Sequence, residues 1–526
     1  MKRWFLGLGA MFMLFVLSLF FWVYTHVKDR HPDYQLDLII NNPQKPAQLK
    51  VGFSAFPINP TITETWTDLD GDARYDASKG DTFEDSNGNG KFDAVWMAGF
   101  HQSRPAQAIH DTLWARTMLI DDGSTIISFT SLDAIGFGHD DVLDVRKLIA
   151  NQVDVDLPIV SSTHTHEAPD LQGIWGPNRY KSGVDTAYMR YVQHQAARSI
   201  IEAYQQREVA HLRVAQDLST ATSLVTDSRQ PYVLDPGLRI VEAVSADSSK
   251  TLGTLLSWGN HPETLWSRNL EITSDFPHYV RQGIEKGIVI QDSLYVQGLG
   301  GICVYMSGAI GGLMTTDPDW PIKDPWLDTT YLEPTFDKAK SQGLQLANIA
   351  LQALQDSSEW LQPTHIKLSA HTFEIPLDNP NFRLASVIGL LDRGYSSWMN
   401  IRTEVAAIQL GPLSIITVPG EIYPEIVNGG IEKPEGQDFD IEAVETPALR
   451  SLMPAGYQFV LGLANDQIGY IIPKSEWDEN PPYLYGAERS PYGETNSVGP
   501  ETAPVIYREL QSVINHLSQE NISYAP

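Results

Sequence analysis

Cysteine is almost absent from this chain: Cys303 is the only one among 526 residues. One thiol cannot close an intrachain disulfide, nor supply the paired thiolates of a cysteine-rich zinc site. Any metal bound here must therefore rest on His, carboxylate or Tyr. Basic residues are also scarce, 37 Lys and Arg against 65 Asp and Glu, for a formal charge of −28. Such an acidic balance repels a phosphate backbone and argues against nucleic acid as a partner. No internal repeat is evident, and no composition break marks an interior boundary. What is present is an ordinary 42% hydrophobic content with 13 Trp and 21 Tyr, which suits a large core and not a disordered chain.

Charge is missing from Trp4 to Tyr24, a run long enough to span a bilayer. Lys2 and Arg3 precede it, Lys28 and Arg30 follow, and Trp4, Trp22 and Tyr24 sit where interfacial aromatics belong. A cleaved signal has a shorter apolar core and a small-x-small site, which Thr25-His-Val-Lys28 lacks. Residues 1–30 therefore read as a signal-anchor, with secretion after cleavage as the alternative. Residues 31–47, with Pro32, Pro43 and Pro46, read as a linker. From Gln48 onward apolar strand patterns alternate with helical ones. Strands are expected at 48–53, 112–120, 125–129, 157–160, 212–218, 239–243, 254–258, 302–306, 413–418 and 458–463. Helices are expected at 188–204, 336–355 and 501–517. This alternation predicts a large single mixed α/β domain over 48–526, preceded by one transmembrane helix.

An insertion over 65–95 is dense in oxygen side chains. Asp68, Asp70, Asp72 and Asp76, then Asp85, Asn87, Asn89 and Asp93, recur at positions 1, 3, 5 and 9 of two loops. That is the spacing a hard cation needs. Position 12 is Lys79 in one loop and Trp96 in the other, so the bidentate Glu of an EF-hand is missing. A solvated acidic loop has the same composition. The doubled spacing favours structural Ca2+, and calcium in turn favours a domain lying outside the cytoplasm, periplasmic or extracellular.

Four apolar strands run into polar loops. Leu157-Pro-Ile-Val160 leads to Ser161-Ser-Thr-His-Thr-His-Glu-Ala-Pro-Asp170, where His164 and His166 share a face if the strand continues. Leu255-Leu-Ser-Trp-Gly-Asn-His261 ends on a His, Ile415-Ile-Thr-Val-Pro-Gly-Glu421 on a Glu, and Leu461 leads to Tyr470. In α/β sheets functional groups gather beyond the strands' C-terminal ends, so a metal site is expected there. Two His, a Glu and a Tyr make a hard-to-borderline set that suits zinc with room for water. Each residue also has a plainer role: a His can cap the loop, His261 can shape the turn before Pro262, Glu421 can cap a helix, and Tyr470 can be core. Spacing alone does not choose.

The segments Val51-Gly-Phe, His110-Asp-Thr-Leu-Trp-Ala-Arg116, Thr163-His-Thr-His166, Gly259-Asn-His-Pro262, Val418-Pro-Gly-Glu421 and Asn465 to Tyr470 occur in one order across the body. In them the chain resembles the catalytic domain of the neutral/alkaline non-lysosomal ceramidases and bacterial proteins like them. The resemblance implies that His164, His261, Glu421 and Tyr470 are zinc ligands and that His166 is a second active-site His beside the metal. It departs at Met306 to Met314: the ceramidases' Gly-Asp-x-Ser-Pro segment has its Asp and Ser replaced by Ala309 and Gly311, and Ser307 is a different position. Gly311-Gly312 is expected to leave a more open, less polar wall, with fewer partners for a ceramide headgroup.

The expected reaction is zinc-dependent hydrolysis of a linear amide in a small-molecule or lipid acyl substrate. Tyr470 is expected to act on the rate as ligand or oxyanion partner. His166 is expected to stabilise the oxyanion or protonate the leaving amine. An esterase with the same centre is one alternative. A membrane-tethered binding protein on a retired hydrolase scaffold is the other.

Overall fold

Strands that are apolar on both faces need cover on both sides, and the chain meets this with four layers: helix, sheet, sheet, helix. The computed structural model describes residues 2–41, 48–312, 314–362, 364–391 and 393–518. In chain order the strands are β1 (Asp37–Asn41), β2 (Lys50–Pro57), β3 (Trp114–Asp121), β4 (Ile126–Leu132), β5 (Leu157–Ser162), β6 (Glu208–Asp217) and β7 (Leu238–Ser245). They continue as β8 (Thr251–Trp258), β9 (Ile302–Ser307), β10 (Lys367–Pro376), β11 (Asn400–Leu410), β12 (Leu413–Thr417) and β13 (Tyr457–Leu461). The helices used below are α1 (Lys2–Val27), α2 (His139–Ile149), α3 (Thr186–Gln206), α4 (Phe276–Lys286), α5 (Phe336–Ser357), α6 (Pro380–Val387) and α7 (Thr502–Ser518).

The nine-stranded sheet runs β9-β8-β7-β6-β2-β3-β4-β5, with Glu359–Trp360 added beside β6; the five-stranded sheet runs β1-β10-β11-β12-β13. The pairs β4–β5, β8–β9 and β12–β13 are parallel. Val51 and Phe53 of β2 meet Ala406 and Ile408 of β11 and Phe459 of β13 in one core between the sheets. Helices α2 and α3 cover one part of the large sheet's outer face, α4 and α5 another, and α7 covers the small sheet. Helix starts follow capping chemistry: Asp185 accepts from the Ala187 and Tyr188 amides at α3, and Asn379 does the same for α6 ahead of Pro380.

The large sheet coils until its edge strands β9 and β5 come close. Ser307 Oγ donates to Thr163 O at 2.8 Å, and Ser131 Oγ to Tyr305 O at 2.6 Å. The chain leaving β13 then crosses this gap. Gly462 N bonds Ser307 O at 2.9 Å, and Asn465 N bonds Val160 O at 2.7 Å. The Asn465 side chain accepts from Val160 N at 2.8 Å and donates to Glu404 Oε1 at 2.7 Å. One short segment thus ties both edges of the large sheet to the small one.

The expected strands and helices appear with ends moved by a few residues. Elements not anticipated are α2, α4, α6, β10 and β11, which mix polar and apolar residues. The linker reading needs correction. Asp37–Asn41 forms edge strand β1, antiparallel to β10 from Asp37↔His371 to Asn41↔Lys367. Leu38 and Ile40 alternate into the inter-sheet core, which outweighs the signal of the flanking prolines. Residues 42–47 of that linker lie outside the described residues.

Helix α1 is exposed along most of its length, and Gly7–Val27 is long and apolar enough to cross a membrane. Its last residue is part of the domain, because Val27 is buried with Leu377, Tyr395 and Ile401 and its carbonyl accepts from Tyr395 N at 2.8 Å. Asp29 then pairs with Arg402 at 2.6 Å.

Asn465→Ala removes both side-chain bonds and leaves the buried Val160 amide without a side-chain partner. Loss of about 2 kcal/mol is expected, read as a lower denaturant midpoint of the detergent-solubilised chain. An unchanged midpoint would show that the crossing segment is not a tie.

Candidate metal centre

Strand β5 ends at Ser162, so His164 and His166 do not project by strand alternation as expected. Instead His164 adopts a left-handed backbone, φ 67°, at a cost of about 1–2 kcal/mol for an L-residue. Thr163 N to Leu132 O and His164 N to Ala134 O, at 2.8 and 2.9 Å, hold the turn against the end of β4. The two rings still converge, with centroids 5.1 Å apart at 77°. His261, following β8, brings a third ring, 4.9 Å from that of His164. Glu421 and Tyr470 arrive together as direct partners in a short parallel pairing, Glu421↔Tyr470 and Ile422↔Ile471. All five side chains lie beyond the C-terminal ends of β5, β8, β12 and β13 and are buried.

The rings are aimed by backbone carbonyls. A carbonyl oxygen only accepts, so His164 Nδ1 donates to Ile135 O and His261 Nδ1 donates to Met314 O at 2.7 Å. Each Nε2 is thereby turned toward Glu421 Oε2, at 3.6 Å for His164 and 3.1 Å for His261. Tyr470 OH is 3.4 Å from His261 Nε2. Gln467 Nε2 donates to the other carboxylate oxygen, Glu421 Oε1, at 2.7 Å and fixes its plane.

Burial pushes the His164 imidazolium down to about 4 and that of His166 well below its ordinary value, so both rings are neutral at pH 7 and carry a free lone pair. Burial alone would raise the Glu421 carboxyl, but His164 and the His261 hydrogen bond hold it at about 2. Burial would lower His261 too, yet the hydrogen bond to Glu421 and the charge of Glu263 raise it. Burial drives the Tyr470 phenol well above its usual range.

The donor set fits a metal ion. Ligand atoms of His164, His166 and His261 lie within 4.8 Å of one another. Both ring nitrogens of His166 are buried without a hydrogen-bond partner, although Nδ1 is 3.1 Å from Glu263 Oε2 in poor geometry. Nitrogen lone pairs, an ionised carboxylate and a phenol are the hard-to-borderline donors that a divalent cation takes. Backbone carbonyls on both His164 and His261 supply the orienting partners that metal sites use.

Several supporting residues escaped the sequence reading. Arg104, fully buried, donates to Ala98 O and His166 O and sits 3.5 Å from Glu167. Gly99, at φ 113°, has no room for a side chain, since a Cβ there would stand 2.6 Å from the His166 Cβ. Glu263 is buried and takes a hydrogen bond from Thr315. Glu263 and Glu167 each lie beside a quoted His, which was the only signal available; Arg104 and Gln467 are placed by tertiary contacts alone.

His164, His166, Glu421 and Tyr470 line a pocket whose apolar walls include Leu171, Trp175, Leu377, Phe382, Leu391 and Val498. The expected open wall at Gly311-Gly312 is corrected. The segment is buried, Gly311 N bonds Ile422 O at 2.9 Å, and a Cβ at Gly311 would meet Ile422 C at 2.5 Å. Glycine here permits close backbone packing and opens nothing. Neither glycine lines the pocket.

The acidic loops are brought together only in part. Asp68, Asp70 and Asp72 form a group that can hold a cation, with Lys79 Nζ 3.1 Å from Asp70 Oδ2 and also on Asp72. Asp76 instead caps a short helical turn through Ser78 N. In the other loop Asp85 accepts from the Gly88, Asn89 and Gly90 amides, while Asn87 and Asn89 both donate to Asp93 Oδ2 at 2.7 Å.

No protein-family model and no curated protein matches the sequence of this chain. The fold does match solved structures. The crystal structure of neutral ceramidase from Pseudomonas aeruginosa superimposes with a TM-score of 0.62 at 15% identity, over 91% of this chain and 76% of that one. A ceramidase complexed with C2 gives a TM-score of 0.62 at 14% identity, over 91% and 77%. The chain therefore has a neutral ceramidase-like fold.

His164→Ala and His261→Ala should each reduce bound metal in the purified full-length chain from about one ion to near none, by elemental mass spectrometry. Gln467→Ala should weaken metal affinity about ten- to a hundred-fold. Full occupancy in both His variants would show that these rings are not ligands.

Proposed function

We propose that this protein is a membrane-tethered, zinc-dependent hydrolase that cleaves the amide bond of an N-acyl substrate. The observation that carries this is the meeting of His164 Nε2, His261 Nε2, Glu421 Oε2 and Tyr470 OH, with His164, Glu421 and Tyr470 lining a pocket that has apolar walls. The ceramidase-like fold, whose solved examples are ceramidases by name, supports the reaction class and an acyl substrate. Zinc held there would supply Lewis acidity and an acidified water.

The chain's own residues supply the rest. Gln467 and the Ile135 and Met314 carbonyls keep the ligand atoms in place before substrate arrives, which is the preorganisation a polar transition state needs. His166 has two unpaired ring nitrogens, so it can donate to a developing oxyanion or pass a proton to the leaving amine. Glu263, beside His166 Nδ1, can hold the resulting imidazolium. Tyr470, its proton retained by burial, is a second donor at the same place. The apolar walls take the acyl chain and keep water out. A second reading, a binding protein on a retired scaffold, draws on Ala309 and Gly311, because Gly311 leaves no space for the side chain that the ceramidases carry there.

Calcium at Asp68, Asp70 and Asp72, with the second loop as a further oxygen-rich turn, is proposed as a structural clamp. It suits a domain facing outside the cytoplasm, anchored by α1.

Zinc-replete full-length protein should hydrolyse members of a panel of N-acyl amides and esters, lose the activity to a chelator and regain it with zinc. His166→Ala should lower kcat about 10²- to 10³-fold while zinc content stays the same. If a zinc-replete preparation turns over nothing in the panel, the retired-scaffold reading stands instead.

Calcium up to millimolar levels should raise the melting temperature, and Asp70→Ala combined with Asn87→Ala should abolish the rise. Identical melting curves with and without calcium would leave a solvated acidic loop.

A further inference from the structure

The apolar span Gly7–Val27 has 21 residues. At 1.5 Å per residue it rises about 32 Å, against about 30 Å for a hydrocarbon core. Its last residue, Val27, is already packed in the domain core. No spacer separates the end of the span from the folded body, so the surface around Val27 must sit within the headgroup layer, roughly 6 Å deep on each side.

That surface is made by α6 and the chain that follows it. Partly buried Val23 of α1 packs in the same cluster as Phe382 and Val387 of α6. A Cβ on Gly389 would stand 2.4 Å from the His26 ring, and one on Gly394 would stand 2.7 Å from Lys28 O. Tyr395 N bonds Val27 O at 2.8 Å. The segment is clasped around the last turn of α1. On it, two large apolar side chains are exposed, Leu384 at 57% and Trp398 at 70%, as are Trp22 and Tyr24 near the end of α1. Trp398 follows Tyr395 by three residues, so it stands at most about 11 Å along the chain from the helix exit. Exposed Trp beside the end of a span belongs to an interfacial belt.

We propose that α6 and residues 394–400 form a docking surface for the bilayer that α1 crosses, with Leu384 and Trp398 inserted at the headgroup level. Helix α6, through Phe382 and Ser386, and the chain that joins it to residue 394, through Leu391 and Arg393, wall the pocket. The pocket is then held at the leaflet, and an acyl chain enters it from lipid without crossing water. This consequence for substrate supply rests on the hydrolase reading, whereas the docking surface does not.

The test uses the full-length chain in phosphatidylcholine nanodiscs, labelled with an environment-sensitive fluorophore at Leu384→Cys, Trp398→Cys or, as control, Tyr295→Cys in an exposed hairpin distant in sequence. Cys303 is buried and should escape labelling. Labels at 384 and 398 should emit to the blue of the control and be quenched at least about two-fold by doxyl-phosphatidylcholine. Either site that folds suffices for the reading. Labels quenched no more than the one at 295 would overturn the docking surface, whatever the activity. On the hydrolase reading, Leu384→Asp with Trp398→Asp should lower turnover of a bilayer-embedded N-acyl amide about ten-fold and spare a water-soluble short-chain one. Equal loss on both substrates would overturn the supply route and leave the hydrolase assignment intact.

Discussion

Three imidazoles and a carboxylate share a volume too dry to tolerate an unbalanced charge, and much of the structure around them serves that constraint. Burial keeps His164 and His166 neutral, while Glu421 stays ionised because two rings face it. Glu421 and, beside His166, Glu263 stand among these buried rings, and a divalent cation would offset their negative charge. The supporting groups follow from this. Two carbonyls fix the tautomers, Gln467 satisfies the second Glu421 oxygen, and Arg104 secures the backbone that carries His166.

The site is assembled from both sheets, so its geometry depends on how they are tied. His164, His166 and His261 follow strands of the large sheet; Glu421 and Tyr470 follow strands of the small one. The crossing segment 462–465, bonded to β9 on one side and β5 on the other, sets the distance between the two groups. Its Asn465 also reaches Glu404, which is held by Arg146 of α2. A buried polar chain of this kind leaves little freedom for one sheet to slide on the other. Helix α1 adds a second constraint from outside, since its end is part of the same core as α6 and fixes the pocket wall relative to the apolar helix.

Much was legible in the chain itself. The uncharged run from Trp4 reads as a span because length and hydropathy are local properties. Strands such as β5 and β12 read as buried because both faces are apolar, and α3 and α5 because their periods and caps are regular. Elements that mix polar and apolar residues, such as α2 and β10, were missed. Strand β1 was taken for linker because prolines surround it and only pairing with β10 reveals it. Gly311 was read as an opening. Its meaning depends on what lies opposite, and Ile422 lies opposite.

By itself the sequence determined which side chains are available for chemistry. With one cysteine, any metal would have to be held by His, carboxylate or Tyr, and such residues stand after apolar strands, beyond whose C-terminal ends functional groups gather in α/β sheets. Only the tertiary structure decided that His164 turns on a left-handed residue, that Glu421 and Tyr470 are register partners, and that Gln467 and Arg104 serve the site. It also decided that the apolar helix ends inside the domain and not in a linker. The physical reason is the range of the interactions. Hydropathy and capping act within a few residues and leave a local pattern, whereas a carbonyl that aims a ring comes from tens of residues away, and a core that receives a helix end from hundreds, and neither leaves a mark on the residues between.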